Sequence, residues 1–137
     1  MNRLEGHIHA IECNGQMSLV DVMVGGDMFT ATLLETPETA PYLRAGEKVS
    51  LLFKETEVSL AKGLSGLISL RNRIPAIVRG IEHGGIMSAV HLDYQGLPLT
   101  SVVTSRAVER LQLAVGDRVE GLVKANEIVL MEKPHGD

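Results

Sequence analysis

Asn2-Arg3-Leu4 returns about 70 residues later as Asn72-Arg73-Ile74, and the return is not isolated. In the same ungapped register Ile11-Glu12 falls on Ile81-Glu82. Gly15, Met17, Ser18 and Val20 fall on Gly85, Met87, Ser88 and Val90. The match continues through Thr30 and Thr100, Leu43 and Leu113, Gly46 and Gly116, and Val49 and Val119. It closes with Lys54, Glu57, Val58 and Leu60 on Lys124, Glu127, Ile128 and Leu130. Coincidence supplies scattered matches, not one register across a whole unit. A period of about 70 is too long for a solenoid repeat and has the size of a small β domain. The expected organisation is therefore two copies of one module, residues 1–64 and 65–137. The join, Ala61-Lys62-Gly63-Leu64-Ser65-Gly66, has the glycines and serine of a turn or linker.

Each copy reads as strand. Ile8 and Ala10 alternate with His7, His9 and Glu12, and Val20, Val22 and Val24 alternate with Asp21 and Met23. Val78, Ile81, Ala89, Val90 and Leu92 fill the same places in the second copy. Asn14-Gly15, Gly84-Gly85 and Gly25-Gly26-Asp27 are hairpin turn signals. One helical segment is expected per copy. Thr104 to Leu111 has a Thr/Ser start followed by helix formers; in the first copy Thr36 to Leu43 holds that place, shortened by Pro41. Two more strands follow each glycine, Val49–Phe53 with Val58–Leu60 and Val119–Val123 with Ile128–Leu130. Three strands, a short helix and two strands is the order of an OB-like barrel. The expected fold is all-β with one short helix per module, as two tandem OB-like five-stranded barrels.

Composition removes several functions. The 137-residue chain is 45% hydrophobic and 22% charged, which is globular and not disordered. Its net charge of −4 and 3% aromatics deny it both the cationic footprint and the stacking platforms of a nucleic-acid binder. No apolar run reaches the ~20 residues of a bilayer span, and the N-terminus lacks a signal-peptide core, so a cytoplasmic protein with no membrane partner is expected. Cys13 is the single cysteine, read as a small buried or half-buried residue. Met17, Met23, Met28, Met87 and Met131 read as core filler within strands. No nucleophile motif, phosphate loop or dinucleotide fingerprint occurs, so no enzyme and no cofactor are expected. His7 and His9 share a strand face but lack a third ligand nearby in sequence, and His135 lies in a polar tail. No direct metal-cation site is expected.

The chemistry concentrates in two polar clusters. Ser69-Leu70-Arg71-Asn72-Arg73 opens the second copy, and Lys124-Ala125-Asn126-Glu127 sits where a late strand ends. Lys54-Glu55-Thr56-Glu57 is the first copy's counterpart of the latter. Fixed positive charge, hydroxyl and amide donors, and backbone N–H groups in a turn are what a small anion needs. A solvated strand end explains each charge singly; the recurrence of lysine at the same place in both copies favours the site.

Ser69-Leu70-Arg71-Asn72-Arg73-Ile74-Pro75, with Lys124-Ala125-Asn126-Glu127-Ile128 some fifty residues on, resembles the molybdate-binding Mop domain of the TOBE group. Two modules in tandem over nearly the whole chain resemble a di-Mop molbindin. The resemblance implies an OB-like barrel and oxyanion sites formed between modules of a homo-oligomer, a trimer with six modules. It implies that Ser69 and Arg71 donate directly to the oxyanion and that Asn72 braces their turn. It further implies that Lys124 gives charge, Ala125 a backbone N–H, and Thr104 a hydroxyl. The intervening motif positions Leu70 and Asn126 count with the site, as do Lys54, Glu55 and Thr56 of the first copy. The family's second helix hydroxyl falls on Ala107. The first copy begins at Met1-Asn2, so its Ser and Arg are missing, and Leu34 stands where Thr104 stands. Which lysine turn, Lys54 or Lys124, pairs with Ser69 and Arg71 stays open at this level.

The implied ligand is molybdate or tungstate, bound without turnover for storage and homeostasis. The other reading implied by the resemblance is a molybdate-sensing regulatory module of a repressor or of a transporter ATPase. Cys13→Ser is expected to leave oxyanion binding unchanged in equilibrium dialysis; a large loss of affinity would give the thiol a role.

Overall fold

The computed structural model describes residues 1–133, so His135 lies outside the described residues. Ten strands carry the chain: β1 (Asn2–Asn14), β2 (Met17–Val24), β3 (Asp27–Leu33), β4 (Lys48–Phe53), β5 (Ser59–Ala61), β6 (Asn72–Glu82), β7 (Met87–Tyr94), β8 (Leu97–Thr104), β9 (Arg118–Val123) and β10 (Val129–Glu132). One α-helix, α1 (Ser105–Arg110), and two three-ten turns, Glu55–Glu57 and Ala125–Glu127, complete the elements. The strands form two five-stranded sheets, ordered β10-β4-β1-β2-β3 and β5-β9-β6-β7-β8.

Alternation builds each core. Along β2 the residues Ser18, Val20, Val22 and Val24 are buried, and along β7 the equivalents Ser88, Val90, Leu92 and Tyr94 are buried. The intervening side chains face outward. Met17, Met28, Met87 and Met131 therefore stand 41–50% exposed, which corrects the expectation that they fill the core. Strand period, not hydrophobicity, decides their side. Phe29, Phe53, Leu4, Ile8 and Leu51 fill the first core; Ile74, Val78, Tyr94 and Leu99 lie in the second.

β1 and β6 each carry an irregularity at the same place, between Ile8 and Ala10 and between Val78 and Gly80. The extra residue resets the alternation, so Ile8 is buried while Ala10 is exposed. Backbone bonds from the β4 and β9 approaches hold each irregularity. Ile8 N–H donates to the Glu47 carbonyl at 2.8 Å, and Gly46 N–H to the Ile8 carbonyl at 2.7 Å. The second copy repeats this with Val78 to Asp117 at 2.9 Å and Gly116 to Val78 at 2.8 Å. Cys13 is exposed rather than buried, because it lies beside the turn that closes the β1–β2 hairpin; its sulfur is 3.4 Å from the Ser18 hydroxyl.

The fifth strand of each sheet comes from the other repeat. β10 pairs with β4 in the register Leu130↔Leu51, and β5 pairs with β9 in the register Leu60↔Gly121. The sequence repeat divides at 64/65, but the compact units do not follow it. Among the described residues, one gathers Arg3–Phe53 with 124–133, and the other gathers Lys54–Val123 with Asn2. Within each unit the two sheet edges approach, β10 to β3 and β5 to β8, giving the expected OB-like closure.

Helix formation differs between the copies. Thr104 caps α1 by accepting the Ala107 N–H at 3.1 Å. In the first copy Ala40 N–H reaches the Thr36 carbonyl at 2.7 Å, which makes one helical turn. Pro41 then has no N–H to continue it, and turns replace the expected helix. Lys62, in the expected linker, is fixed to the end of α1, donating to the carbonyls of Leu111 (3.2 Å) and Gln112 (2.9 Å) and pairing with Asp117 at 2.9 Å.

Leu130 is 7% exposed in the exchanged strand. Leu130→Ala should destabilise the protein by about 2–4 kcal/mol in urea unfolding. A loss under about 0.5 kcal/mol, the scale of an ordinary surface substitution, would show that β10 contributes nothing to the first core.

Candidate functional site

Asn72 is the first residue of β6 and pairs with Val123, the last of β9. Its buried amide donates to the Val123 carbonyl at 3.1 Å. That bond fixes where the chain enters the sheet, so Arg71 precedes and Lys124 follows the same rung. Ser69 and Arg71 are exposed in irregular backbone, and Leu70 is half-buried beside them. Arg71 and Lys124 make no ion pair or side-chain hydrogen bond among the described residues, whereas Arg73, one residue into the strand, is tied to Glu120 by two bonds of 2.7 Å. Neighbouring arginines thus have different roles: Arg73 braces the sheet and Arg71 is left to solvent.

Asn2, the counterpart of Asn72, behaves as an additional backbone rung. Its amide donates to the Thr100 carbonyl and accepts from the Thr100 N–H, both at 2.8 Å. The asparagine of the opening motif is thus structural in both copies. The resemblance implied Asn72 as a brace; it did not reveal the paired bond of Asn2 to β8.

The two lysine turns fold alike. In the first, Glu57 N–H donates to the Lys54 carbonyl at 3.0 Å and the Glu57 carboxylate accepts the Lys54 N–H at 3.1 Å. In the second, Glu127 N–H donates to the Lys124 carbonyl at 3.0 Å. Lys54, Thr56, Lys124 and Asn126 are exposed, and Glu55 and Ala125 half-buried. No side chain caps the Ala125–Glu127 turn, so its leading N–H groups keep donor capacity. The turn Glu55–Glu57 packs on β8, and buried Ser101 secures it by donating to the Val58 carbonyl at 2.6 Å. The turn Ala125–Glu127 packs on β3. Glu57 was not among the candidate site residues, although its repeat partner Glu127 was the available signal for a turn-fixing role.

Thr104 lies at the exposed junction of β8 and α1. Because its oxygen accepts from Ala107, its proton stays available to an acceptor outside the chain. Ser105 is committed elsewhere, donating to the Gly84 carbonyl at 2.7 Å and lying 2.7 Å from the Ser88 hydroxyl. Leu34, in the Thr104 position of the first copy, is 80% exposed and offers no donor. His7 and His9 are exposed, and no group of three or more metal-ligating side chains gathers among the described residues.

Ion pairs set the titration of the sheets. Arg73 holds the Glu120 carboxyl below its ordinary value, Lys62 and the Ala114 N–H do so for Asp117, and Arg79 and the Gly96 N–H for Asp93. Slight burial pushes Glu5 upward, but the Ser50 hydroxyl, Arg3 and Lys133 together outweigh it and leave Glu5 lowered.

Two edge-closed β units with donor-rich turns at strand ends define an OB-type ligand-binding module. The TOBE domain model matches residues 68–130. The chain is 35% identical over 123 residues to the molybdenum import ATP-binding protein ModC of Brucella abortus, covering 89% of this chain and 32% of that protein. It thus spans about a third of the length of these ATPases. It is 36% identical over 64 residues to a probable molybdenum-pterin-binding protein of Haemophilus influenzae, covering 46% of this chain and 93% of that protein. The crystal structure of the cytoplasmic molybdate-binding protein ModG, with molybdate bound, superposes with a TM-score of 0.90 at 32% identity, covering 96% of both chains. The chain belongs to the tandem-Mop, or molbindin, family of the TOBE group. The ModG and Haemophilus influenzae relatives are described as binding proteins. No helix among the described residues is long and apolar enough to cross a membrane.

Asn72→Ala should cost about 1–3 kcal/mol in denaturant unfolding, since it leaves the buried Val123 carbonyl short of a donor. An unchanged midpoint would remove the brace. The lowered carboxylates contribute stability that is fully present above their unfolded values and is lost as pH falls through their folded ones. The melting temperature is therefore expected to be level from pH 7 to about 5 and to fall below about 4 in calorimetry. A melting temperature that rises on acidification through that range would contradict the ion-pair assignment.

Proposed function

We propose that the protein binds molybdate, and tungstate equally by size, as a cytoplasmic store or buffer. Ser69 and Arg71 donate to the oxyanion, and Lys124 supplies the second positive charge. The Ala125 N–H completes the turn, while Asn72 holds the register and Leu70 and Asn126 flank the donors. The single observation carrying this reading is that Arg71, directly ahead of the Asn72–Val123 rung, is exposed and has no partner among the described residues. A tetrahedral dianion offers four acceptor oxygens, which charged and neutral donors saturate together. Membership of the molbindin family and the binding described for ModG support the ligand.

Thr104 serves an oxyanion held by a neighbouring molecule, and Lys54, Glu55 and Thr56 form the matching turn there. The complete sites therefore lie in a homo-oligomer, a trimer in this reading. Size selects against sulfate, since the same donors suit both ions. Binding needs no cofactor, nucleic acid or membrane partner.

A second reading, a molybdate-sensing module of a repressor or transporter ATPase, is favoured by the ModC match, in which a similar segment makes up 32% of a larger protein. Loss of the gene would separate the two: a store lowers retained molybdenum, whereas a sensor changes molybdate-dependent transport or expression.

Arg71→Ala should weaken molybdate binding at least about tenfold in titration calorimetry, the scale of one charge-assisted bond, with the unfolding midpoint unchanged. Equal affinity for the variant would overturn the site.

A further inference from the structure

Lys48 opens β4 and Lys133 follows β10. The Lys133 N–H donates to the Lys48 carbonyl at 3.3 Å, one step beyond the rung Glu132↔Val49, so the two lysines stand opposite each other. Both line an open depression of about 470 Å³ with Glu5, Gly6, His7 and Gly46. Like charges directly opposite on antiparallel strands repel. Glu5 relieves this only in part. One of its oxygens is 3.6 Å from the Lys133 ammonium, but the same carboxylate accepts from Ser50 at 2.7 Å and from Arg3 at 2.8 Å. Two cations and one hydroxyl therefore share one carboxylate.

The floor is backbone. A side chain on Gly6 would bring its Cβ to 2.3 Å from the Met23 carbonyl oxygen, and Gly46 holds a φ of +93°. The second copy provides an internal comparison. Glu5, Gly6, His7, Gly46 and Lys48 correspond to Pro75, Ala76, Ile77, Gly116 and Arg118. The depression there, about 300 Å³, is lined by Pro75, Ala76 and Ile77 together with Asp93, Gln95 and Arg118. One backbone location is cationic in the first unit and largely apolar in the second. Overall charge does not explain this, since the chain carries −4.

We propose that the basin between Lys48 and Lys133 is a separate anion site, taking a dianion of the phosphate class, either free phosphate or the phosphoryl end of a larger solute. Two opposed ammonium groups over a backbone floor match a group with several acceptor oxygens, and an incoming dianion removes the repulsion between them. The site is independent of Arg71 and does not rest on the molybdate reading.

The test is an amide NMR titration of the 137-residue chain carrying Arg71→Ala, with inorganic phosphate and, separately, molybdate. Saturable shifts at Gly6, His7 and Gly46 with phosphate are expected. Lys48→Ala with Lys133→Ala should weaken them at least about tenfold, while Lys48→Arg keeps them. The dispersion of each spectrum reports that the variant is folded. Absence of saturation, or identical shifts in the double variant, would overturn the proposal. Saturation by molybdate but not by phosphate would overturn the phosphate assignment. If phosphate saturates, adenosine monophosphate in a further titration separates a phosphoryl-bearing solute from the free ion.

Discussion

Backbone pairing at the edges of β4 and β9 is the constraint on which this molecule depends. An antiparallel sheet left with an open edge exposes a row of unmet donors and acceptors. Here each edge is met by a strand from the other repeat, β10 on β4 and β5 on β9. That exchange divides the chain after Phe53 and after Val123 rather than at the repeat boundary. It also fixes the two lysine turns, because each lies on the short path from a sheet's fourth strand to the exchanged fifth. The polar residues of those turns are positioned by the pairing and need no scaffold of their own.

Much of this architecture was legible in the residues. The repeat, the strand runs and the glycine turns follow from the period and from alternation. The exchange was not, because Val58-Ser59-Leu60 and Ile128-Val129-Leu130 present the same pattern to either sheet. A local pattern specifies that a strand forms, not which equivalent edge receives it. The irregularities after Ile8 and Val78 were hidden for a related reason: they depend on bonds from Gly46 and Gly116, far along the chain. The outward methionines were misplaced because hydrophobicity was given more weight than strand phase, and Ala10 because the irregularity after Ile8 shifts that phase. Pro41 shortened the first helix, as expected, to the point that only one turn remained.

The candidate site divides along similar lines. The polar clusters Ser69–Arg73 and Lys124–Glu127 were visible in the residues, and the roles expected of Ser69, Arg71 and Lys124 came from the resemblance to the Mop domain. The paired bond between Asn2 and Thr100 was not visible there, since it depends on the exchanged fold. Both copies keep the asparagine that holds the sheet, and Leu34 stands in the first copy where Thr104 stands in the second.

The account is tested most directly by native mass spectrometry of the protein with molybdate and, in parallel, with sulfate. It predicts an oligomer that gains molybdate in discrete steps and takes up no sulfate at the same concentration. A monomer that gains neither ion, or equal uptake of both, would contradict it.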